Sequence, residues 1–343
     1  MYIRKNLNDT FIPVHEHVLH TYDQVICSGA ATLVIHNDEI VLEKYVGHQS
    51  NEANARAIQE DTQFHVASVR KSYIGFAAAY AIYHGKIEMD APVLEYLPER
   101  DPLLWKGTTV RHLLNHTHGL NEKEGAVFRA HAPGEDWAYK GTGLKALTEI
   151  IERRTGKSIA DILHSQVFEP LAFHSSGWYI EKKERLVDVI LRQEADGEWE
   201  VSDSVKGDQK NMYVSARELA FWGYFHMKKG NIDGHQIVPE AIIDIATSLQ
   251  SPPNLDPDLP QNGCLWFVKD RPARKTEIGP KVPRGSYQIL GYTGVTLLVV
   301  PDENLVAVRM FNSFGSPEGY DYLEDVRSFG DTVVGCVQRE FVR

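Results

Sequence analysis

Ser68 is the one serine in the chain with a lysine three positions later, in Ser68-Val69-Arg70-Lys71. On a helix, positions i and i+3 are neighbours, so the amine would lie beside the hydroxyl. A lysine desolvated in a crevice loses its preference for the charged form, and a neutral amine accepts a hydroxyl proton. Ser68 then becomes a nucleophile. The helix start adds free backbone N–H groups and a positive dipole end where an oxyanion would develop. Such a tetrapeptide arises by chance about once in a chain of this length and composition. Serine is also a favoured N-cap, so the pair taken alone reads better as a capped helix with a surface lysine.

The elements around the pair have to position it. SVRKSYIGFAAAYAIYH (68–84), followed by Gly85, reads as a helix apolar on most sides with glycine at its stop, hence buried between lobes. After an N-terminal helix, ATLVIH (31–36) and EIVLEKYV (39–46) flank Asn37-Asp38, a hairpin pattern. Helical signals follow at 109–116, 143–154 and 158–168, then around 215–229 and 238–249. Strand-like CLWFV, SYQIL, VTLLVV and LVAVRMF come next, and an amphipathic segment closes the chain near 320–340. Sheet signals at both ends with helices between predict an α+β fold. In it an antiparallel sheet is flanked by helices and carries an inserted all-helical lobe. The expected division is 1–85 with 206–343 for the sheet lobe and 86–205 for the insert, with the site in the crevice between them.

Several ordered blocks carry a family resemblance. FHVASVRKSYIGFAAAYAIYHGKIEMDAPVLEYLPE resembles the nucleophile, buried-helix and Asp-x-Pro block of the penicillin-binding protein and serine β-lactamase-like hydrolases. TVRHLLNHTHGL resembles their Thr-[Ile/Val]-Arg-His-Leu-Leu-x-His-Thr-Ser-Gly-Leu segment, with His118 at the usual serine, and MYVSARELAFWGYF resembles a later helix. The resemblance is nearest to the class C β-lactamase and esterase branch and runs from about residue 30 to the C-terminus. It implies a β-lactamase/transpeptidase-like fold and an acyl-enzyme made by Ser68 with Lys71 as base. Tyr139 matches the family's Tyr-x-Asn tyrosine and is implied to help move the proton, with nearby cations favouring phenolate character.

Two positions depart from the pattern. Gly141 stands where the Tyr-x-Asn asparagine belongs, and Tyr292 replaces the cation of Lys-Thr-Gly in Gly291-Tyr292-Thr293-Gly294-Val295. The resemblance places substrate contacts at Gly141, Tyr292, Thr293 and Gly294, and the oxyanion N–H groups on Ser68 and Val295. Charge-assisted hydrogen bonds are about twice as strong as neutral ones, so losing the cation weakens recognition of an anionic β-lactam. The reading is therefore an esterase or amidase for small neutral acyl substrates. Its rivals are a β-lactamase or D-amino-acid peptidase, and a catalytically weak binder of a small molecule, peptide or partner protein. Lys140, His118 and Trp266 are placed near the pocket from block position alone.

Composition bounds the rest. The 343 residues are 43% hydrophobic and 24% charged, a folding chain long enough for two cooperating lobes. Thirty-six Lys and Arg against 47 Asp and Glu leave −11, which argues against nucleic acid and anionic membrane as partners and leaves a small acyl substrate. Three scattered cysteines, an N-terminus without a signal-peptide core and the lack of an ~18-residue apolar run predict a cytoplasmic protein. His15-Glu16-His17 with His20 lacks the His-Glu-x-x-His spacing, and His112 with His116, although at i and i+4, sits in the block whose resemblance implies structural histidines, so no metal is assigned. No dinucleotide, Walker or Gly-x-Ser-x-Gly motif is present, and no cofactor is expected.

Overall fold

The structure is a computed structural model that describes residues 1–191 and 202–340. Its main sheet has eight strands: β1 (Arg4–Lys5), β2 (Gly29–His36), β3 (Glu39–Gly47), β4 (Gln261–Asn262), β5 (Phe267–Val268), β6 (Tyr287–Gly291), β7 (Val295–Val300) and β8 (Leu305–Phe311). Their order is β1-β3-β2-β8-β7-β6-β5-β4, so the two ends of the chain meet where β2 pairs with β8. All neighbours are antiparallel except β1, which runs parallel to β3. Asn37 and Asp38 turn the β2–β3 hairpin with φ of 50° and 66°, the left-handed pair that a type I′ turn requires.

Both faces of the sheet are covered, which is why β7 is buried throughout and apolar apart from Thr296. Val295, Leu297 and Val299 face one core, and Leu298 and Val300 face the other. The second core is closed by helix α1 (Ile12–Gln24), through Val14 and Val18, and by the last helix (Tyr322–Glu340), through Val326, Phe329 and Val333. The first core holds helix α2 (Arg70–Tyr83), which is buried nearly all round, as its sequence requires. Tyr73 of α2 stacks on Trp222 at 4.3 Å, and the Trp222 indole N–H donates to Ser72 Oγ at 3.0 Å. Gly85, φ 64°, ends the helix in the left-handed conformation.

The inserted section is helical at its centre, with Val93–Tyr96, Pro102–Trp105, Val110–Leu114, helix α3 (Leu144–Thr155) and Ile159–Leu163. It also carries strands the sequence reading did not include. Leu120–Lys123 and Ala126–Arg129 form an exposed hairpin turned by Glu124 and Gly125, both at positive φ. Ser176–Trp178 joins Met212–Ser215 and Gln63–His65 in a small three-stranded sheet. These strands are too short to show a period of two in sequence. Residues 192–201 of the expected insert lie outside the described residues. The division into 1–85 with 206–343 and 86–205 is our proposal, and the small sheet crosses it. Among the described residues no helix is long and apolar enough to cross a membrane.

Candidate active site

Ser68 sits in a 3-10 turn, Ala67–Val69, one step ahead of α2. The turn is strained: Ala67 has φ 46°, in the left-handed region that alanine avoids. Two bonds hold it. The Ala67 N–H donates to His65 Nδ1 at 3.1 Å, and Thr293 Oγ1 donates to the His65 carbonyl at 2.7 Å. Burial drives the His65 ring down to about 3, so it is neutral and its Nδ1 can accept. Ser68 makes no side-chain capping bond to the helix, which leaves its hydroxyl for Lys71.

Lys71 Nζ stands 2.7 Å from Ser68 Oγ and 3.0 Å from the Tyr139 hydroxyl. The side chain is buried, and that burial, helped by Arg70 and Lys210, holds the amine well below its usual range. Tyr139 leaves 36% of its surface exposed while its hydroxyl end reaches inward to the amine. Its ring stacks on Phe267 at 5.8 Å and packs against His116 at 4.7 Å. Withdrawal from water pushes the phenol up to about 12, against the bond to Ser68 and the charge of Arg70. The expected phenolate character is therefore not what burial produces: Tyr139 is a phenol at neutral pH.

The turn after β6 is where geometry departs most from sequence. Gly291, not Gly294, is the glycine pressed against the nucleophile turn, since a Cβ there would lie 2.3 Å from the Val66 carbonyl oxygen. The Gly294 N–H closes a tight turn onto the Gly291 carbonyl at 2.9 Å, so the next strand starts at Val295, opposite Gly291. Val295 lies fully buried in the core, paired with Gly291 across the β6–β7 ladder, and is not among the residues that line the cleft, where it was expected as an oxyanion donor. Thr293 is buried and serves as the tie to His65, and Gly294, φ 85°, is a turn residue backed by Phe311. Tyr292 is the member of this group on the cleft wall. The backbone N–H groups of Ser68 and Tyr292 donate to no acceptor among the described residues.

These groups open into a cleft of ≈ 920 Å³. Ser68, Lys71, Gly141 and Tyr292 line it, together with Arg70, Lys210 and Phe314, which the sequence reading did not single out. Arg70 had a visible signal, a cation inside an apolar helix next to Lys71; Lys210 and Phe314 had none, because only tertiary folding brings them in. Lys140, His118 and Trp266 do not line the cleft. His118 Nδ1 accepts the Leu120 N–H at 3.0 Å, and Trp266 is buried edge-on to Tyr287. His112 takes part in the capping box of Thr109, and His15 meets Thr32 Oγ1 at 3.3 Å. Among the described residues no three His, Cys, Asp or Glu side chains converge to hold a metal ion.

A strained serine turn, a dehydrated lysine and a phenol at the junction of a two-ended sheet and a helical insert define a β-lactamase/transpeptidase-like protein. The beta-lactamase family model matches residues 18–329, and the chain belongs to that family. It is 55% identical to an uncharacterized protein of Alkalihalophilus pseudofirmus over 98% of this chain and 99% of that one. It is 30% identical to Esterase EstB of Burkholderia gladioli, over 46% of this chain and 48% of the esterase, about half of each. Among solved structures, a penicillin-binding protein homolog from Caulobacter crescentus superposes with TM-score 0.75 at 19% identity, covering 98% of this chain and all of that one (100%). EstCE1, titled a hydrolase with promiscuous acyltransferase activity, gives TM-score 0.71 at 17% identity, covering 94% and 98%. At those identities the structural likeness shows the fold.

Proposed function

We propose that the chain is a serine hydrolase that forms an acyl-enzyme on a small ester or amide, with esters ahead of β-lactams. The observation that carries this reading is the Ser68–Lys71–Tyr139 cluster, with Nζ 2.7 Å and 3.0 Å from the two hydroxyls. Ser68 Oγ attacks the substrate carbonyl carbon while its proton passes to the neutral amine of Lys71. The oxyanion forms against the N–H groups of Ser68 and Tyr292, the Tyr292 donor replacing the one expected at Val295. Lys71 returns the proton through the Tyr139 phenol to the leaving group, and the C–O or C–N bond breaks. Water then adds to the acyl-enzyme by the same relay and restores Ser68. A phenol held at about 12 suits the donor step better than the acceptor step.

The esterase preference rests on Gly141 and Tyr292, which offer neither the amide partner nor the cation of β-lactam recognition, and on likeness to an esterase. Cys27, Cys264 and Cys336 form no disulfide with one another, which suits the cytoplasmic placement we propose. The test is intact mass after exposure to a fluorophosphonate or an activated short acyl ester. The parent chain should gain one adduct and Ser68→Ala none. A parent chain that gains no adduct from any acyl probe is a binder and not a hydrolase, and fast nitrocefin turnover with negligible ester turnover reverses the substrate order.

A further inference from the structure

The cation missing at Tyr292 has a counterpart on another element. Arg70 lies on the cleft wall between Ser68 and Lys71 in sequence, and only 7% of it is exposed. Its Nη1 is out of reach of water and has no hydrogen-bond partner. Among the described residues no carboxylate lies within ion-pair distance of the guanidinium. The charged and titratable groups that bear on it are Lys71, Tyr139, Asp208 and His65. Burial brings Arg70 down only to about 10, so it is charged at neutral pH. A buried guanidinium that Asp208 answers only at a distance is unfavourable, and on a cleft wall it is placed to meet an anion.

The carboxylates on the same wall are otherwise engaged or distant in role. Glu99 is held by Arg153 at 2.6 Å, and Asp101 accepts the Leu103 N–H at 2.9 Å. Glu122 is exposed on the hairpin. Leu104, Trp105 and Leu144 supply an apolar stretch. The cleft thus combines a nucleophile, an apolar surface and one cation without an acceptor. A guanidinium presents two parallel donors, the geometry that a carboxylate matches.

We propose that Arg70 anchors a carboxylate of the substrate, so that the cleft takes half-esters or half-amides of short dicarboxylic acids, with the scissile carbonyl at Ser68. This rests on the acyl-transfer reading for the carbonyl and on Arg70 alone for the anion. The two are separated by measuring binding in the Ser68→Ala chain, which cannot turn over. Calorimetric titration should show monomethyl glutarate binding at least tenfold more tightly than dimethyl glutarate. Adding Arg70→Met should erase that preference, and Arg70→Lys should keep part of it. Circular dichroism melting of each variant checks the fold, and the lysine variant carries the test should the methionine variant fail to fold. Equal affinity for the two probes, binding of neither, or a preference that survives Arg70→Met overturns the anchor. A parent chain that binds the half-ester through Arg70 yet forms no adduct at Ser68 overturns the hydrolase reading and leaves the anchor standing.

Discussion

Lys71 works as a base because it is poorly solvated, and the same fact makes it a burden on the fold. The amine is held well below its ordinary range first by burial and then by Arg70 and Lys210. Below about pH 10.4 the unfolded chain binds a proton at this position. The folded chain does so only below its own, lower pKa, so in between stability rises with pH. Lys71→Met removes that penalty. We expect it to raise stability by about 0.5–2 kcal/mol at neutral pH, read from thermal melting, while kcat on a short ester falls at least ~100-fold. In the parent chain kcat/KM should climb with pH through the depressed lysine pKa and then level off. Gly141 allows the converse experiment. A Cβ there meets nothing within 4 Å, and the residue lines the cleft. Gly141→Asn should fold unchanged and raise amide over ester turnover by about 2–10-fold, the worth of one added hydrogen bond of about 0.5–1.5 kcal/mol. No change in that ratio would show that position 141 does not meet the substrate.

At the level of elements, the sheet is tied to its covering helices through a buried charge. Arg309 of β8 has a fully buried side chain and pairs with Asp325 in the last helix. Asp325 also accepts from Thr21 of α1 and Tyr320, each at 2.8 Å. One carboxylate therefore joins three elements on the face opposite the cleft. Asp325→Ala leaves the guanidinium buried and uncompensated, at an expected loss of about 3–5 kcal/mol, measured as a lowered urea midpoint. Pairing it with Arg309→Met should recover most of the loss, because a packed apolar pair has no charge to desolvate. The strands themselves were legible: β2, β3, β7 and β8 are runs of β-branched and aliphatic residues separated by turn residues. The turn from Gly291 to Gly294 was not, because two glycines flank it and sequence cannot say which one must press against Val66.

For the whole molecule, net charge of −11 keeps the surface anionic while several imidazoles are locked inside. Burial depresses His65 to about 3, His118 and His226 to about 4, and His116 well below its usual value. In the unfolded chain these rings titrate near 6.5. Between those limits unfolding takes up protons, so the contribution of these rings to stability is complete above about pH 6.5 and drains as pH falls toward 4. Each such ring contributes a slope of about 1.4 kcal/mol per pH unit inside its window. Scanning calorimetry should show the melting temperature dropping steadily below pH 6.5, with more than one proton bound on unfolding at pH 5. A melting temperature flat from pH 7 to 5 would contradict the buried neutral state of these residues.

By itself the sequence determined the i to i+3 placement of Ser68 and Lys71, the buried helix and the two-ended sheet, which are written in local spacing, apolar runs and turn pairs such as Asn37-Asp38. The catalytic reading of that pair, and of Tyr139, came from the family resemblance of whole sequence blocks. The tertiary structure alone decided what those residues experience. Desolvation lowers Lys71 and raises Tyr139, and the β6–β7 turn moves Tyr292 rather than Val295 to the cleft. Folding also leaves Arg70 buried on the wall without a carboxylate. Dehydration and close approach are sums over atoms from distant parts of the chain, so no local pattern can report them.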